Sequence, residues 1–151
     1  MIDTVRVRAA EAADAVTVAR LQQAMDRELG AVEEEGFIDR FATVWLADLD
    51  RRPTWLAERD GQAIGVLVLV VVDNLPRPGQ PPRRWAHVSL VFVDSAARNA
   101  GIGRLLLNEM LAWAAANGVG RVQLNANKNS ARLYRSVGFD CAPQRLMELG
   151  L

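Results

Sequence analysis

The stretch VDSAARNAGIGRLLL, residues 93–107, leads from a strand-like segment through two glycines into a helix-like one. The first N–H groups of a helix have no acceptor within the helix and lie at the positive end of its dipole. Glycine at positions 101 and 103 lets a ligand approach this backbone closely, and Arg98 and Arg104 can add charge-assisted hydrogen bonds. The stretch therefore predicts a turn that binds a phosphate or pyrophosphate.

Two other kinds of phosphate-binding turn do not fit this stretch. The dinucleotide-binding fingerprint needs a third glycine where Leu106 stands, and it follows the first strand of a βαβ unit. A P-loop needs Gly-Lys-Ser/Thr, which does not follow the turn. A turn whose glycines serve only the backbone conformation stays open as an alternative.

The hydrophobic pattern predicts one α/β domain over residues 1–151. Helices are expected after Asp14, over the apolar positions from 38 to 49, after the glycine turn and over residues 130–136. Strands are expected over residues 4–8, 55–59, 62–72, 85–93, 121–125 and 145–149, with Asp60-Gly61 closing a hairpin. The order βααβββαβαβ indicates a mixed, mostly antiparallel sheet with helices on both faces.

The charge of the chain is balanced overall but unevenly distributed. The 18 basic and 18 acidic residues cancel, which favours neither nucleic acid nor an anionic membrane as a partner. Residues 1–50 carry 11 acidic and 5 basic side chains, whereas residues 51–151 carry 7 acidic and 13 basic ones. An anionic ligand is therefore expected in the second part and a cationic one in the first.

The sequence indicates a cytoplasmic protein. Cys141 is the only cysteine, so an internal disulfide is excluded and secretion is not indicated. No basic-then-apolar leader is recognised, and the longest apolar run, residues 63–72, is too short to cross a membrane. We expect no metal cofactor.

A second motif, NKNSARLYRSVGF at residues 127–139, strengthens the interpretation of the turn. Together with RNAGIG at residues 98–103, it resembles the GNAT superfamily of acetyl-CoA-dependent N-acetyltransferases. The family motifs read Arg/Gln-x-x-Gly-x-Gly/Ala and Asn-x-x-Ala-x-x-Leu-Tyr, with Gly-Phe four residues after the tyrosine. Ser130 replaces the alanine, and the resemblance covers nearly the whole chain.

The resemblance implies that acetyl-CoA is the cosubstrate and lies in a gap between the strands at 85–93 and 121–125. The strand backbone would pair with the pantetheine arm, and the turn amides would bind the pyrophosphate. The implied cofactor-binding residues are Val91, Phe92, Val93, Arg98, Asn99, Ala100, Gly101, Ile102, Gly103, Arg104, Asn127 and Asn129.

Acetyl transfer needs a neutral amine, a donor to the developing oxyanion and a stabilised leaving thiolate. The only tyrosine, Tyr134, is implied as the general acid or hydrogen-bond donor to the thiolate, and a backbone N–H near Val91 as the oxyanion donor.

The general base is less clear, because the strand WAHVSLVFV carries no carboxylate. His87 and Ser89 stand where family members carry a glutamate, and alternation predicts positions 87, 89, 91 and 93 on one face. Histidine is suited to base chemistry at neutral pH. His87 is one candidate, and a water relay from Ser89 or a carboxylate among residues 33–35 are the others.

The resemblance implies direct attack, in a ternary complex, by a primary amine of a small molecule or peptide. The acidic run at residues 33–35 could attract this amine, and Trp45 or Trp85 could line its pocket. The loop before residue 85 carries basic residues that could instead meet a carboxylate-bearing acceptor or the coenzyme 3′-phosphate. These are Arg77, Arg83 and Arg84. The acceptor stays open, and a homodimer fits the family without being decided by the residues.

Two other functions remain open at this point. A non-catalytic acyl-CoA-binding sensor would explain the strand that lacks a carboxylate. A protein-interaction domain would use the glycines of the turn only for its fold, and it would have no affinity for the coenzyme.

Overall fold

The sheet has a single antiparallel-to-parallel change, at its last strand. The computed structural model describes residues 4–143 and 145–151. Its strands, in the order in which they lie side by side, are β1 (Arg6–Ala9), β2 (Thr54–Arg59), β3 (Gln62–Asp73), β4 (Arg84–Val93) and β5 (Val119–Gln123). Neighbours from β1 to β4 are antiparallel, and β5 is parallel to β4.

Helices cover both faces of this sheet, as the sequence predicts. They are α1 (Ala15–Glu28), α2 (Phe37–Ala47), α3 (Ile102–Ala116) and α4 (Ala131–Ser136). Val18 of α1 and Trp45 of α2 share one buried cluster with Val66 of β3. Leu106 of α3 shares the other cluster with Leu67, so adjacent residues of β3 face opposite cores.

The hairpin between β2 and β3 follows the prediction from Asp60-Gly61. Arg59 pairs with Gln62, and both loop residues have positive φ, 51° at Asp60 and 77° at Gly61. A two-residue turn of this kind matches the twist of the strands that it joins.

Two strand predictions need correction. The strand predicted over residues 121–125 is β5 at Val119–Gln123, because its pairing with β4 begins at Val119 and ends at Gln123. The strand predicted over residues 145–149 is wrong, since the described residues after Gln123 contain no strand. Local alternation favours a strand but does not supply the hydrogen-bonding partner that a strand also needs. Leu146, Met147 and Leu149 are instead 82%, 93% and 84% exposed.

An ion-pair cluster fixes the start of α1 against the sheet. The Arg8 guanidinium donates to both carboxylate oxygens of Asp14 at 2.8 Å and to Glu58 Oε1 at 2.9 Å. Asp14 also accepts the Glu11 N–H at 2.8 Å. The Arg8 hydrogen bonds lower the pKa of Asp14 to about 2, against an opposing effect of burial.

We predict that Asp14→Asn lowers the free energy of unfolding at pH 7 by up to about 2 kcal/mol. The folded-state pKa lies below the unfolded one, so the carboxylate stabilises the fold above about pH 4, and this contribution disappears as the pH falls towards 2. In urea unfolding, the free energies of unfolding of wild type and variant should converge as the pH falls from about 4 to 2. Asp60→Asn is the control, because the Asp60-Gly61 turn suits asparagine equally well. A difference in free energy of unfolding between wild type and Asp14→Asn that does not change with pH would contradict this prediction.

Candidate active site

More than half of one edge of β4 has no partner strand. Pairing with β5 starts at Arg84 and ends where His87 meets Gln123, whereas β4 continues to Val93. On its other edge β4 stays paired with β3 up to Val93 and Gly65. Residues 88–93 therefore present an edge that no described strand pairs with, as the predicted gap between these strands requires.

A β-bulge at Ser89 lies at the start of this open edge. Val68 pairs with Leu90 and Leu69 pairs with Val88, so Ser89 is one extra residue in β4. Its hydroxyl donates to the Val68 carbonyl at 3.2 Å. The side chain is exposed, so the bulge turns Ser89 out of the regular alternation.

The bulge corrects the prediction that positions 87, 89, 91 and 93 share one face. Ala86 and Val88 belong to the core beneath α3, and Val91 and Val93 pack against the same core. His87, between two residues of that face, points to the opposite side, where α1 and α2 lie. An extra residue reverses the alternation, and the sequence pattern alone does not reveal it.

The turn before α3 presents a row of free backbone donors. The six N–H groups from Asn99 to Arg104 have no acceptor within residues 4–143 and 145–151, and the next, at Leu105, donates to the Gly101 carbonyl at 3.1 Å. Asn99 has φ 63° and Gly101 has φ 78°. This geometry and the positive end of the α3 dipole suit the binding of an anion.

The two glycines of the turn serve different purposes. At Gly101 the left-handed backbone favours glycine, and an added Cβ would meet nothing within 4 Å. At Gly103 an added Cβ would lie 3.1 Å from Cδ2 of Leu133. Gly101 is therefore required by the backbone conformation of the turn, whereas Gly103 lets α4 approach α3.

The side chain of Arg98 is engaged within the protein. Its Nε donates to the Val93 carbonyl at 3.0 Å, its Nη2 donates to Glu28, and its guanidinium lies 5.6 Å from the centre of the Phe92 ring. Arg98 thus ties the end of α1 to the end of β4. Arg104, in the first turn of α3, is exposed.

Asn127 organises the turn before α4. Its Oδ1 accepts the N–H groups of Asn129 and Ser130, both at 2.9 Å, and the Ser130 hydroxyl at 3.0 Å. The serine that replaces the family's alanine is therefore part of this cap. The carbonyl oxygen of the Asn127 side chain is occupied by these bonds, and Asn129 is exposed.

Tyr134 lies on α4 in a half-buried position. Its ring packs edge-on against Phe139, with centroids 6.0 Å apart. Burial raises the pKa of the Tyr134 phenol above its usual value, with the Ser130 side chain acting in the opposite direction. The phenol therefore stays protonated at neutral pH and can donate a hydrogen bond.

Arginines neutralise most of the acidic run at residues 33–35. Glu33 pairs with Arg27, and Glu34 pairs with Arg40 through two bonds at 2.9 and 3.0 Å. The bonds from Arg27 lower the pKa of Glu33, which makes this carboxylate a weaker base. The run contacts a small cavity of about 180 Å³, bounded also by Phe37.

A second cavity, of about 240 Å³, lies between α1, α2 and the bulge of β4. Its lining includes Phe41, Trp45, Leu90, Gln22, Arg52 and Ser89. Of the two tryptophans predicted for the acceptor pocket, Trp45 lines this cavity and Trp85 does not. Arg84, one of the arginines predicted to bind an anion, instead donates to Asp73 at 2.9 Å and to the Asn117 carbonyl at 3.2 Å.

Sequence reasoning missed Glu28, Gln22 and Arg52. None belongs to a motif, and each reaches the site only because α1 packs against β3 and β4 and the segment before β2 packs against β3. Arg52 directly precedes Pro53, and in the sequence this proline indicates only a break between two elements.

Comparison with known proteins decides the family. A model described as Acetyltransferase (GNAT) family matches residues 18–139. The chain belongs to this family. Membership confirms the fold class and the enzyme class expected from the two motifs, and it supports the use of acetyl-CoA and an amine.

Individual relatives agree with this result. A glucosamine 6-phosphate N-acetyltransferase of Trypanosoma brucei brucei is 28% identical over 111 residues, covering 70% of this chain and 73% of that protein. An uncharacterized protein of Mycobacterium leprae (strain TN) is 36% identical over 72 residues, which span 48% of this chain and 20% of the relative. The crystal structure of a predicted acetyltransferase with acetyl-CoA from Clostridium acetobutylicum shares the fold, with TM-score 0.82, 17% identity and coverage of 97% and 96%.

Membrane-spanning helices and clusters of metal ligands are both absent from the described residues. None of the helices is long and apolar enough to span a membrane. Within residues 4–143 and 145–151, histidine, cysteine and carboxylate side chains form no group of three that could hold a metal ion.

We predict that Gly101→Glu abolishes the thermal stabilisation given by acetyl-CoA, because it places a carboxylate in the turn before α3. Gly79→Glu is the matched control, since Gly79 has φ 69° and equally open surroundings in the loop before β4. Both variants should lose about 1–2 kcal/mol of stability from left-handed strain, but only the first should lose the ligand-dependent rise in Tm. Equal responses of both variants to acetyl-CoA would contradict the assignment.

Proposed function

We propose that the chain, as one N-acetyltransferase domain, transfers the acetyl group of acetyl-CoA to a primary amine of a small molecule by direct attack in a ternary complex. One observation carries this proposal. Ser89 belongs to the open edge of β4 and also lines the cavity between α1 and α2. A cofactor along the edge and an acceptor in the cavity would therefore meet at the bulge.

The backbone of the turn fits the cofactor. The free N–H groups from Asn99 to Arg104 would hold its pyrophosphate, and the open edge at residues 91–93 would pair with its pantetheine arm. When bound, acetyl-CoA supplies a thioester that reacts with an amine and releases a thiol. The Arg98 side chain, which Glu28 and Val93 already bind, would act by holding the turn against α1 and β4 rather than by contacting phosphate.

Tyr134 is the proposed donor to the leaving sulfur. Its protonated phenol and its position on α4, which approaches α3 through Gly103, support this role. A backbone N–H near Val91, on the open edge, is the proposed oxyanion donor.

His87 is the proposed base, acting directly or through a water held by Ser89. Both residues flank the point where β4 and β5 separate, and His87 faces the side of the sheet on which the acceptor cavity lies. The acidic run is the weaker candidate, because arginines pair with Glu33 and Glu34.

The trypanosomal relative supports a small-molecule acceptor, since its name gives an amino sugar phosphate as substrate. The first experiment is therefore a panel of amines, including glucosamine 6-phosphate, assayed for release of free thiol from acetyl-CoA. Saturable binding of acetyl-CoA without thiol release for any amine would contradict the catalytic function and favour a sensor.

We predict that Tyr134→Phe lowers kcat by about 10- to 100-fold, near the lower end of general acid catalysis because a thiolate leaves readily. The variant keeps the ring that packs on Phe139, so its urea midpoint and its Tm shift with acetyl-CoA should match wild type. An unchanged kcat would show that Tyr134 contributes packing and no hydrogen bond to the leaving sulfur.

We predict that His87→Gln lowers kcat by about 100-fold or more, because the variant removes the group that takes the amine proton. Ser89→Ala is the companion variant: it should lower kcat by less, through loss of the hydroxyl that holds the relaying water. A kcat that His87→Gln leaves unchanged would place the base elsewhere.

A further inference from the structure

The cavity beside the β4 bulge contains a charged group that the proposed chemistry leaves without a role. Arg52 is the only charged residue among those that line this cavity, all of which belong to the described part of the chain. Its side chain is 32% exposed. The Nε–H group itself is enclosed and has no hydrogen-bond acceptor within residues 4–143 and 145–151.

The surroundings of Arg52 neutralise it incompletely. The Asp48 carboxylate lies 3.7 Å from the Nε of Arg52 and 4.0 Å from the Nε of Arg51. One carboxylate is therefore shared by two guanidinium groups, and the three side chains together keep a positive charge. Arg51 does not line the cavity, so Arg52 presents this charge to a ligand.

Hydrogen bonds fix the backbone of Arg52 relative to the apolar wall. The Trp45 indole donates to the Thr54 hydroxyl at 3.0 Å, and this hydroxyl donates to the Arg52 carbonyl at 2.8 Å. Thr54 is 3% exposed. Trp45 therefore offers the cavity its ring and no free donor, while Arg52 is held beside it.

We infer that this cavity binds the acceptor and that Arg52 selects amines which also carry an anionic group, a carboxylate or a phosphate. A guanidinium matches either group through paired hydrogen bonds. Phe41, Trp45 and Leu90 cover the apolar body of the acceptor. This inference rests on the proposed function for the amine and adds the class of substrate.

The charge also predicts which amines are rejected. Polyamines bring a second cation towards Arg52, and an uncompensated like charge in a partly enclosed site is unfavourable. The acidic run offsets this effect little, because two of its three glutamates pair with Arg27 and Arg40.

The test compares amines that differ only in the anionic group. L-phenylalanine is paired with phenethylamine for the carboxylate, and O-phosphoethanolamine with ethanolamine for the phosphate, with putrescine as the polyamine. Each is assayed for thiol release from acetyl-CoA. Binding is measured separately, without coenzyme, by ligand-observed NMR at millimolar concentration.

We expect at least one amine with an anionic group to exceed its counterpart without that group by about 10- to 100-fold in kcat/KM, because charge-assisted hydrogen bonds are lost with the anion. Arg52→Gln should abolish this preference, whereas Arg51→Gln, which changes the neighbouring arginine outside the cavity, should keep it. A preference within the L-phenylalanine pair identifies a carboxylate as the anionic group that Arg52 binds, and a preference within the O-phosphoethanolamine pair identifies a phosphate.

Failure of this inference and failure of the proposed function give different results. If wild type and Arg52→Gln acetylate amines and show the same preference for those with an anionic group, the role of Arg52 is overturned and the proposed transferase function is retained. Arg52-dependent binding of an anionic amine without thiol release supports the anion site and overturns the proposed function. Absence of any Arg52-dependent difference in binding or turnover overturns the inference.

Discussion

The site depends on the fact that β4 is paired along its whole length on one edge and along less than half of it on the other. A backbone edge without a strand partner leaves N–H and C=O groups to be satisfied by something else. The open part begins after His87 and includes the bulge at Ser89. It leads directly into the turn whose six N–H groups also lack acceptors in the described chain.

Packing around this edge explains why the motif residues are arranged as they are. Arg98 links the turn to α1 through Glu28 and to β4 through the Val93 carbonyl. Gly103 allows Leu133 of α4 to approach the first turn of α3. These contacts connect the turn, the edge and the helix that carries Tyr134.

The sequence predicted the elements that rest on local signals. Asp60-Gly61 specified its hairpin, and RNAGIG specified an open turn because positive φ and a free helix start depend on residues close in the chain. The bulge at Ser89 was beyond prediction, since it depends on register with β3, and it reversed the expected face of His87. The proposed role of Arg52 and the ion pair of Glu28 with Arg98 arise from contacts between distant segments. The alternating residues at 145–149 lacked a strand to pair with.

We propose that the open edge of β4 and the turn before α3 together form the coenzyme site. A titration with coenzyme A, followed on the backbone amides by ¹⁵N NMR, examines both parts at once. Saturable shifts are expected for the amides of residues 99–104 and for those of residues 88–93 that face the open edge, with the distant β1 amides unchanged. Shifts that leave residues 99–104 unaffected, while others saturate, would contradict this proposal.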